Sequence, residues 1–336
     1  MATTESSSNV PIRRIVSGVR PTGRLHLGHY HGALKNWLEL AKTHECLFFS
    51  ADWHALTTHY KDPEVIRQSE HEMFADWLAA GLDPARVTLF KQSAVKQHAE
   101  LFLLLGMITP LGWLERVPTY KELKDQLAER DLNMFGFLGY PVLQTADVAV
   151  YGASHVPVGQ DQVSHLELAR EIVRRFNSYY GDTLVEPRPL VTETPKILGT
   201  DGRKMSKSYN NAIDLGEEPA SAKKKIMGAV TDPARQRRQD PGNPDICGIF
   251  HLHKGYSSAE RVETVNRECR VAGIGCVDCK KWLLEGLVPA LEKHRAARAE
   301  LDKAPELVTL AIKRGNEHAA TLAEQTMTRV REAMKL

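Results

Sequence analysis

Short apolar runs alternate with stretches of helical periodicity over the first two thirds of the chain, from about Arg14 to about Asn210. The runs predict short buried strands, around residues 15–16, 46–51, 87–90 and 155–158. The intervening periodicity predicts helices, among them Leu27–Lys42 and a helix that begins at Asp62-Pro63 and ends near Gly81. Strands that alternate with helices form a parallel sheet covered by helices, so the pattern predicts an α/β fold.

The pattern changes in the last third of the chain. From Glu217 to the end it is almost wholly helical, so we expect a parallel-sheet domain over residues 12–214 and an α-helical C-terminal domain over residues 215–336. Residues 1–11 are small and polar and predict a disordered tail without a signal or transit segment. No apolar run is long enough to cross a bilayer, so we expect a cytoplasmic protein with no membrane partner.

The 336 residues are 42% apolar and carry a net charge of only +2. The apolar fraction is enough for a substantial core, but the charge provides no general basic field. We therefore expect no DNA partner, and any contact with RNA must come from local basic patches. The densest patches are Lys223–Lys225 and Arg235–Arg238, which are either solvated faces or RNA contacts.

The stretch from Ser17 to His29 reads as the end of a strand, a tight turn and the start of a helix. A helix that begins near His26 has free backbone N–H groups and a positive dipole end, which favour an anion. His26 and His29 project from one face of the first turn, while Gly28 has no side chain to obstruct a ligand. Together they predict a phosphate site.

Lys204–Ser208, with the sequence Lys-Met-Ser-Lys-Ser, follows a Gly-Thr-Asp-Gly turn. Alone it reads as a solvated basic loop. Together with His26-Leu27-Gly28-His29 it resembles the paired signatures of class I aminoacyl-tRNA synthetases, the second in full and the first with Leu27 in place of the usual Ile. This resemblance implies a Rossmann-like catalytic domain. It also implies that both segments bind ATP.

Polar residues also follow two other predicted strands. Asp52-Trp53-His54 follows one, and Gly159-Gln160-Asp161-Gln162 follows another, at the sheet edge where α/β folds bind ligands. Asp161 either accepts from ribose hydroxyls or caps the next helix. On the helix between them, Tyr140, Gln144 and Asp147 recur at i, i+4 and i+7, so they share one face, which predicts a pocket wall.

Cys247, Cys269, Cys276 and Cys279 gather in one segment, whereas Cys46 lies in an apolar strand and reads as core. Gathered thiols in a cytoplasmic protein indicate a metal site rather than disulfides. Four thiolates suit either tetrahedral zinc or a four-iron, four-sulfur (4Fe-4S) cluster.

Several segments are similar to bacterial tryptophanyl-tRNA synthetases: Ser17–Leu34, Asp52–Ala55, Tyr140–Tyr151, Val156–Leu168 and Lys204–Ser208. The cysteine spacing resembles a subset of this family that carries a 4Fe-4S cluster in its anticodon-binding region. The resemblance implies activation of L-tryptophan with ATP and Mg²⁺, transfer to tRNA(Trp), a homodimer, and an anticodon-binding role for residues 215–336.

The resemblance also implies roles for individual residues. Catalysis falls to His26, His29, Lys204 and Lys207. ATP contacts are implied for Arg20, Thr22, Gly28, His29, Gly159, Asp161, Lys204, Met205, Ser206 and Lys207. Tryptophan contacts are implied for Val16, Gly18, His54, Tyr140, Gln144, Asp147, Val156, Val158 and Gln162, with Asp147 accepting from the indole N–H.

Two positions depart from the family pattern, and other functions stay open. Gln144 stands where many bacterial members have Met, and a Tyr-Gln-Asp face also occurs in the tyrosine-specific sibling family, so tyrosine is an alternative substrate. Arg20 replaces a Gln found in many relatives and adds a cation near the reacting carboxylate. The further alternatives are a small-molecule nucleotidyltransferase of the same superfamily and an inactive RNA-binding or iron-sulfur sensor paralogue.

Overall fold

The computed structural model describes residues 14–21, 23–117, 134–191 and 197–336, and only the backbone of Asp161 and Ser208. The predicted tail over residues 1–11 and Thr22 therefore lie outside the described residues. The described chain forms a parallel sheet whose strands are β1 Arg14–Val19, β2 Glu45–Ser50, β3 Thr88–Lys91, β4 His155–Val158 and β5 Arg188–Val191. Their spatial order is β3-β2-β1-β4-β5, and every pairing is parallel.

Four strands lie where the apolar runs predict them, and the predicted α/β fold is confirmed. The strand that the sequence reading omits is β5, which contains Pro189. Proline lacks a backbone N–H and is confined to sheet edges, and β5 is indeed an edge strand. Because of this proline, the hydrophobic pattern did not predict the strand. The same proline also explains why the strand lies at the edge of the sheet.

Helices cover both faces of the sheet. They are α1 Leu27–His29, α2 Lys35–Leu40, α3 Asp52–His59, α4 Pro63–Ala79, α5 Gln97–Gly106, α6 Leu111–Glu115, α7 Phe135–Ala149, α8 Val163–Tyr180, α9 Pro219–Gly228, α10 Gly248–Tyr256, α11 Ala259–Arg270, α12 Cys276–Lys303 and α13 Pro305–Met334. Within the described ranges, no helix has both the length and the apolar character needed to cross a membrane.

The predicted helix over Leu27–Lys42 is present to Leu40, but Tyr30–Leu34 forms a π-helical turn within it. Such turns are rare and are frequent at functional sites. This one carries the buried His31, whose ring packs edge-on against Tyr256 with 5.2 Å between ring centroids. The helix that follows the histidine signature is thereby joined to α10.

The two faces of the sheet support two apolar clusters. Ile15 and Phe48 face a cluster built with α4, α10 and α12, whereas Val16 and Phe49 face a cluster built with α5, α7 and α8. Helix α13 contributes to both, because Val308 lies in the first cluster and its later residues lie in the second. The C-terminal helix therefore crosses the edge of the sheet.

Gly315 lies where α13 crosses β3. A Cβ atom at this position would overlap the carbonyl oxygen of Leu89. Nearby, the backbone N–H of Lys91 donates to Asn316 Oδ1 at 2.9 Å. Helix α13 thus covers an edge strand that would otherwise expose unpaired backbone groups.

We expect Gly315→Ala to destabilise the protein, although alanine in an open helix position stabilises by about 1 kcal/mol relative to glycine. Overpacking against backbone costs about 1–3 kcal/mol or more, so the Tm should fall by roughly 2–4 °C in thermal unfolding. Gly106→Ala is the matched control, since a Cβ there meets nothing within 4 Å. Equal Tm values for the two variants would contradict the packing described for α13.

Candidate active site

The candidate site lies at the carboxyl edge of the sheet, between β1 and β4. These strands are neighbours although β2 and β3 separate them in sequence, so the chain order reverses between them. Loops that leave the two strands diverge and open a crevice, which is where open α/β sheets bind ligands. The loop after β1 leads to His26, and the loop after β4 leads to Gly159, so two of the predicted ATP segments start from neighbouring strands.

The two signature histidines stack on each other. His26 caps the helix in an extended conformation, and its ring lies 3.8 Å from that of His29 between centroids. The backbone N–H of His26 donates to His29 Nδ1 at 3.3 Å, so that nitrogen is an acceptor. A Cβ on Gly28 would lie 2.8 Å from the His26 ring, so only glycine fits under this histidine pair.

The lysine loop closes over the histidines. Met205 is buried, and its Cβ lies 3.5 Å from the position that a Cβ on Gly28 would take. Lys207 Nζ lies 2.8 Å from the corresponding position on Gly23, whose φ of +102° is the left-handed conformation that favours glycine. The structure therefore brings Lys207 together with the predicted phosphate site, while Lys204 is exposed nearby.

Asn211 organises this loop, and the sequence reading overlooked it. The side chain is buried, accepts from the backbone N–H of Ser206 at 2.7 Å, and donates to Asp201 Oδ1 at 2.7 Å. It also donates to the carbonyl oxygen of Lys204 at 3.2 Å. One buried amide thus fixes the backbone on both sides of Met205.

Electrostatics keep the histidines neutral. Burial, and then the charge of Lys207, lower the pKa of His26 to about 4. Burial, followed by His26, Lys207 and Lys204, lowers the pKa of His29 to about 3. His26 Nδ1 and Lys207 Nζ are buried without a hydrogen-bond partner among the described residues. Buried polar groups are seldom left unpaired, so this site is suited to an anionic ligand.

Five of the residues predicted to contact the substrate tryptophan lie close together. Val16, Val156 and Val158 are buried in one apolar cluster with Ala146 of α7. The adjacent Asp147 is 1% exposed and accepts from His54 Nε2 through Oδ2 at 2.7 Å. The structure therefore brings His54, Asp147 and the valines together.

Asp147 also accepts from two residues that the sequence reading missed. Gln92 Nε2 and His98 Nδ1 both contact Oδ1 at 2.7 Å. Burial by itself would raise the pKa of Asp147, but the charges and hydrogen bonds of His54 and His98 outweigh it and hold the pKa at about 2. Gln92 directly follows β3, and a polar residue at the carboxyl end of a strand could have been predicted from the sequence as a site residue. His98 lies on α5, and nothing in the local sequence indicates that it belongs to the site.

Other candidate residues lie on or directly after β1, β4 and α7. Tyr140 Oη lies 3.3 Å from His165 Nε2. Burial lowers the pKa of Arg20, and the nearby Tyr140 partly opposes this shift. Gln144 is half-buried on α7. A Cβ on Gly18 would lie 2.5 Å from the Phe49 ring. Gly159 is the N-cap of the short 3₁₀ turn Gln160–Gln162.

The four candidate metal-binding cysteines line one cavity, together with Thr231, Asp232, Arg235, Phe250, Val265 and Ile274. Cys247 precedes α10 and accepts from the backbone N–H groups of Ile249 and Phe250. Within the described ranges, no three histidine, cysteine, aspartate or glutamate side chains are placed to hold a metal ion. The structure thus gathers the thiols, and the metal site stays a prediction.

Two arginines of the Arg235–Arg238 patch serve this cavity. Arg235 donates to Cys276 Sγ at 3.8 Å and to the carbonyl oxygen of Ile274 at 2.7 Å. Arg238 donates to the carbonyl oxygens of Ala272 and Gly273. These two side chains therefore hold the loop between α11 and α12, and the RNA role of the patch stays a prediction.

The fold and the site define a nucleotide-binding α/β enzyme. Residues 9–292 match the family described as tRNA synthetases class I (W and Y), and the chain belongs to this family. It is 45% identical to a tryptophan–tRNA ligase of Ralstonia nicotianae, over 96% of this chain and 98% of that protein. A Thermotoga maritima tryptophan–tRNA ligase is 48% identical, with 96% and 99% covered.

A solved structure agrees with these sequence comparisons. The tryptophanyl-tRNA synthetase from Campylobacter jejuni, crystallised with ADP and tryptophan, superposes with a TM-score of 0.83 at 32% identity. The match covers 96% of this chain and 100% of that one. The predicted family membership is therefore confirmed.

The neutral histidines predict a stability that depends on pH. The pKa of His29 is about 3 in the folded chain and about 6.5 when unfolded, so the unfolded chain takes up the proton first. Its contribution is fully present above about pH 6.5 and is lost as the pH falls toward 3. Between pH 7 and pH 5 the loss is about 1–2 kcal/mol.

Urea unfolding at pH 7 and pH 5 checks this prediction. His29→Asn should lose less stability than the wild type over that interval, because it removes the titrating group. His318→Asn, on the exposed face of α13, is the control and should follow the wild type. An unchanged pH dependence in His29→Asn would contradict the burial of a neutral His29.

Proposed function

We propose that this chain is a tryptophan–tRNA ligase, which activates L-tryptophan with ATP to tryptophanyl-adenylate and transfers the tryptophanyl group to tRNA(Trp). The comparisons support this prediction from the sequence, because the chain aligns with tryptophan–tRNA ligases over nearly the full length of both proteins. We further propose that it acts in the cytoplasm as a homodimer, with residues 12–214 as the catalytic domain and 215–336 as the anticodon-binding domain.

One observation carries the proposal: the buried Lys207 Nζ and the buried Asp147 carboxylate both lie at the carboxyl edge of the sheet. Lys207 Nζ lies beside Gly23, after β1, and Asp147 accepts from His54 and Gln92, which follow β2 and β3. Lys207 Nζ and His26 Nδ1 have no hydrogen-bond partner among the described residues, which suits an anion. A substrate that reacts with ATP through its carboxylate, and carries a hydrogen-bond donor at its far end, would span these groups. Tryptophan has both features.

The reaction needs no strong base. The tryptophan carboxylate is already an anion, so it attacks the α-phosphate of ATP directly and releases pyrophosphate. Catalysis then depends on positioning and on cations that meet the developing negative charge. ATP enters as its Mg²⁺ complex. Lys207 and Lys204 would contact the departing pyrophosphate, and the neutral His26 and His29 would donate hydrogen bonds without adding charge.

The remaining roles are those that the resemblance to the family implies. We assign ATP contacts to Arg20, Thr22, Gly28, Gly159, Asp161, Met205 and Ser206. We assign the tryptophan pocket to Val16, Gly18, His54, Tyr140, Gln144, Asp147, Val156, Val158 and Gln162. Asp147 Oδ1 already accepts twice, whereas Oδ2 accepts once and keeps a lone pair for the indole N–H.

ATP–pyrophosphate exchange with tryptophan or tyrosine, offered separately, tests the function. Exchange with tryptophan alone is expected. Exchange with tyrosine alone would support the same reaction on a different amino acid, with Gln144 as the residue that indicates tyrosine specificity. Exchange with neither amino acid would favour the inactive paralogue. Charging of tRNA(Trp) separates a ligase from a small-molecule nucleotidyltransferase.

Lys207→Ala should lower kcat for exchange by about 100-fold or more, because it removes a preorganised cation from the transition state. The KM for tryptophan should change little, since Lys207 lies on the phosphate side. Lys224→Ala, an exposed lysine of the Lys223–Lys225 patch, is the matched control and should keep wild-type kinetics. A raised KM for tryptophan with unchanged kcat would contradict the assigned role.

We also propose that Cys247, Cys269, Cys276 and Cys279 hold a 4Fe-4S cluster. The four thiols line one cavity, and four thiolates suit a cluster or zinc. The choice of the cluster rests on the cysteine spacing, which resembles that of the iron-sulfur subset of the family. A Cβ on Gly242 would lie 2.7 Å from Cys269 Sγ, so glycine leaves room for a ligated sulfur.

The charges around this cavity also fit the cluster. Four thiolates on a cluster carry net negative charge, and two cations approach them. Arg235 contacts Cys276 Sγ at 3.8 Å. Lys280 directly follows Cys279, is buried, and donates to the carbonyl oxygens of Met227 at 3.0 Å and Ala229 at 2.7 Å. Such a cluster would cross-link the loop between α11 and α12 to α10.

Anaerobically purified protein should contain about four iron and four sulfide ions per chain. Cys276→Ser should lose most of this iron, because the ligand set is incomplete. Cys46→Ala should retain it, since Cys46 lies in β2 and not in the cavity. Zinc in place of iron and sulfide in the wild-type protein would overturn the cluster assignment and leave the thiols as a zinc site.

A further inference from the structure

Behind Asp147 lies a chain of buried hydrogen bonds that the reaction described above does not use. His98 is fully buried, and its Nδ1 contacts Asp147 Oδ1 while its Nε2 contacts Tyr151 Oη, both at 2.7 Å. Tyr151 is also fully buried. Asp147, His98 and Tyr151 thus form a continuous relay from the pocket wall into the core.

The chemistry of the three groups fixes where the hydrogens lie. Burial, together with the charge of Asp147, raises the pKa of Tyr151 well above 10, so its phenol keeps the proton. An ionised Asp147 can only accept, so His98 must carry a proton on Nδ1. Its Nε2 completes the chain with a hydrogen bond to the Tyr151 hydroxyl at 2.7 Å.

The His98 ring has little freedom to turn. Phe49 and Phe90 pack beside it with centroids 6.1 Å away, and Tyr151 lies 5.3 Å away. Gln92 holds the same Asp147 oxygen from another side, while its Oε1 accepts from the backbone N–H of Trp53 at 3.1 Å. Asp147 Oδ1 is therefore clamped, and Oδ2 faces His54.

We propose that His98 and Tyr151 are positioning residues for amino-acid selection, which orient Asp147 so that it presents a fixed acceptor to the indole N–H. This inference rests on the proposed function, because it takes tryptophan as the substrate. The indole N–H only donates, so it suits an oriented carboxylate oxygen that only accepts. A phenol oxygen also accepts hydrogen bonds, and the ionised Asp147 has no hydrogen to donate to it. A site that hydrogen-bonds its ligand discriminates strongly against analogues that lack the group.

The test compares L-tryptophan with β-(3-benzothienyl)-L-alanine, in which sulfur replaces the indole N–H. ATP–pyrophosphate exchange gives kcat/KM for both amino acids in the wild type, His98→Leu, His98→Asn and Tyr151→Phe. His98→Leu should lower kcat/KM for tryptophan roughly 10- to 100-fold, the loss expected for one hydrogen bond to a charged group. The value for the benzothienyl substrate should change little, as should the KM for ATP.

The other variants separate positioning from packing. His98→Asn keeps a donor near the Nδ1 position and should recover most of the lost discrimination. Tyr151→Phe keeps the ring and removes only the hydroxyl, so its loss should be smaller and again confined to tryptophan. If His98→Leu fails to fold, as judged by its thermal unfolding, these two milder variants carry the test.

Each outcome has one meaning. Equal losses on both amino acids would make His98 a structural residue and overturn the inference, while the proposed function would stand. A wild type that fails to activate tryptophan would instead overturn the proposed function. A loss confined to tryptophan, restored by His98→Asn, would establish the positioning role.

Discussion

The reversal of strand order between β1 and β4 is the constraint on which the rest of the structure depends. Parallel strands send all their carboxyl ends to one edge, and only at a reversal do neighbouring loops diverge to leave a crevice. The loop after β1 then supplies His26 and Gly28, and the loop after β4 supplies Gly159. Val16 and Val158 belong to the same two strands, so the predicted tryptophan pocket and the predicted phosphate site start from one pair of neighbouring strands.

The two halves of the crevice treat charge in opposite ways. Asp147 is buried but fully supported, since His54, Gln92 and His98 all donate to it. Lys207 Nζ is buried without a hydrogen-bond partner in the described chain, which costs free energy. Under the proposed function, the first arrangement would offer a rigid acceptor to a neutral donor, and the second would offer positive charge to a polyphosphate.

Sequence alone predicted the features that depend on local pattern. Strands β1 to β4 are apolar runs, and the two signatures are contiguous segments, so both could be found without a structure. What it missed depends on tertiary contact. His98 is an unremarkable helix residue until α5 packs against α7, Asn211 gains its role only when the lysine loop folds around it, and β5 was concealed by Pro189.

The cysteine segment and the signature segments are parts of one packed unit, although they are far apart in sequence. Helix α10 begins next to Cys247, and a Cβ on Gly248 would lie 3.0 Å from Leu198, at the base of the lysine loop. At its other end, a Cβ on Gly255 would lie 2.5 Å from the ring of His31, in the π-helical turn after the histidine signature. Glycine at both ends thus lets one short helix lie against Leu198 and His31, which are close in sequence to the lysine loop and to the histidine signature. Helix α10 therefore joins the segment that carries Cys247 to both signature segments.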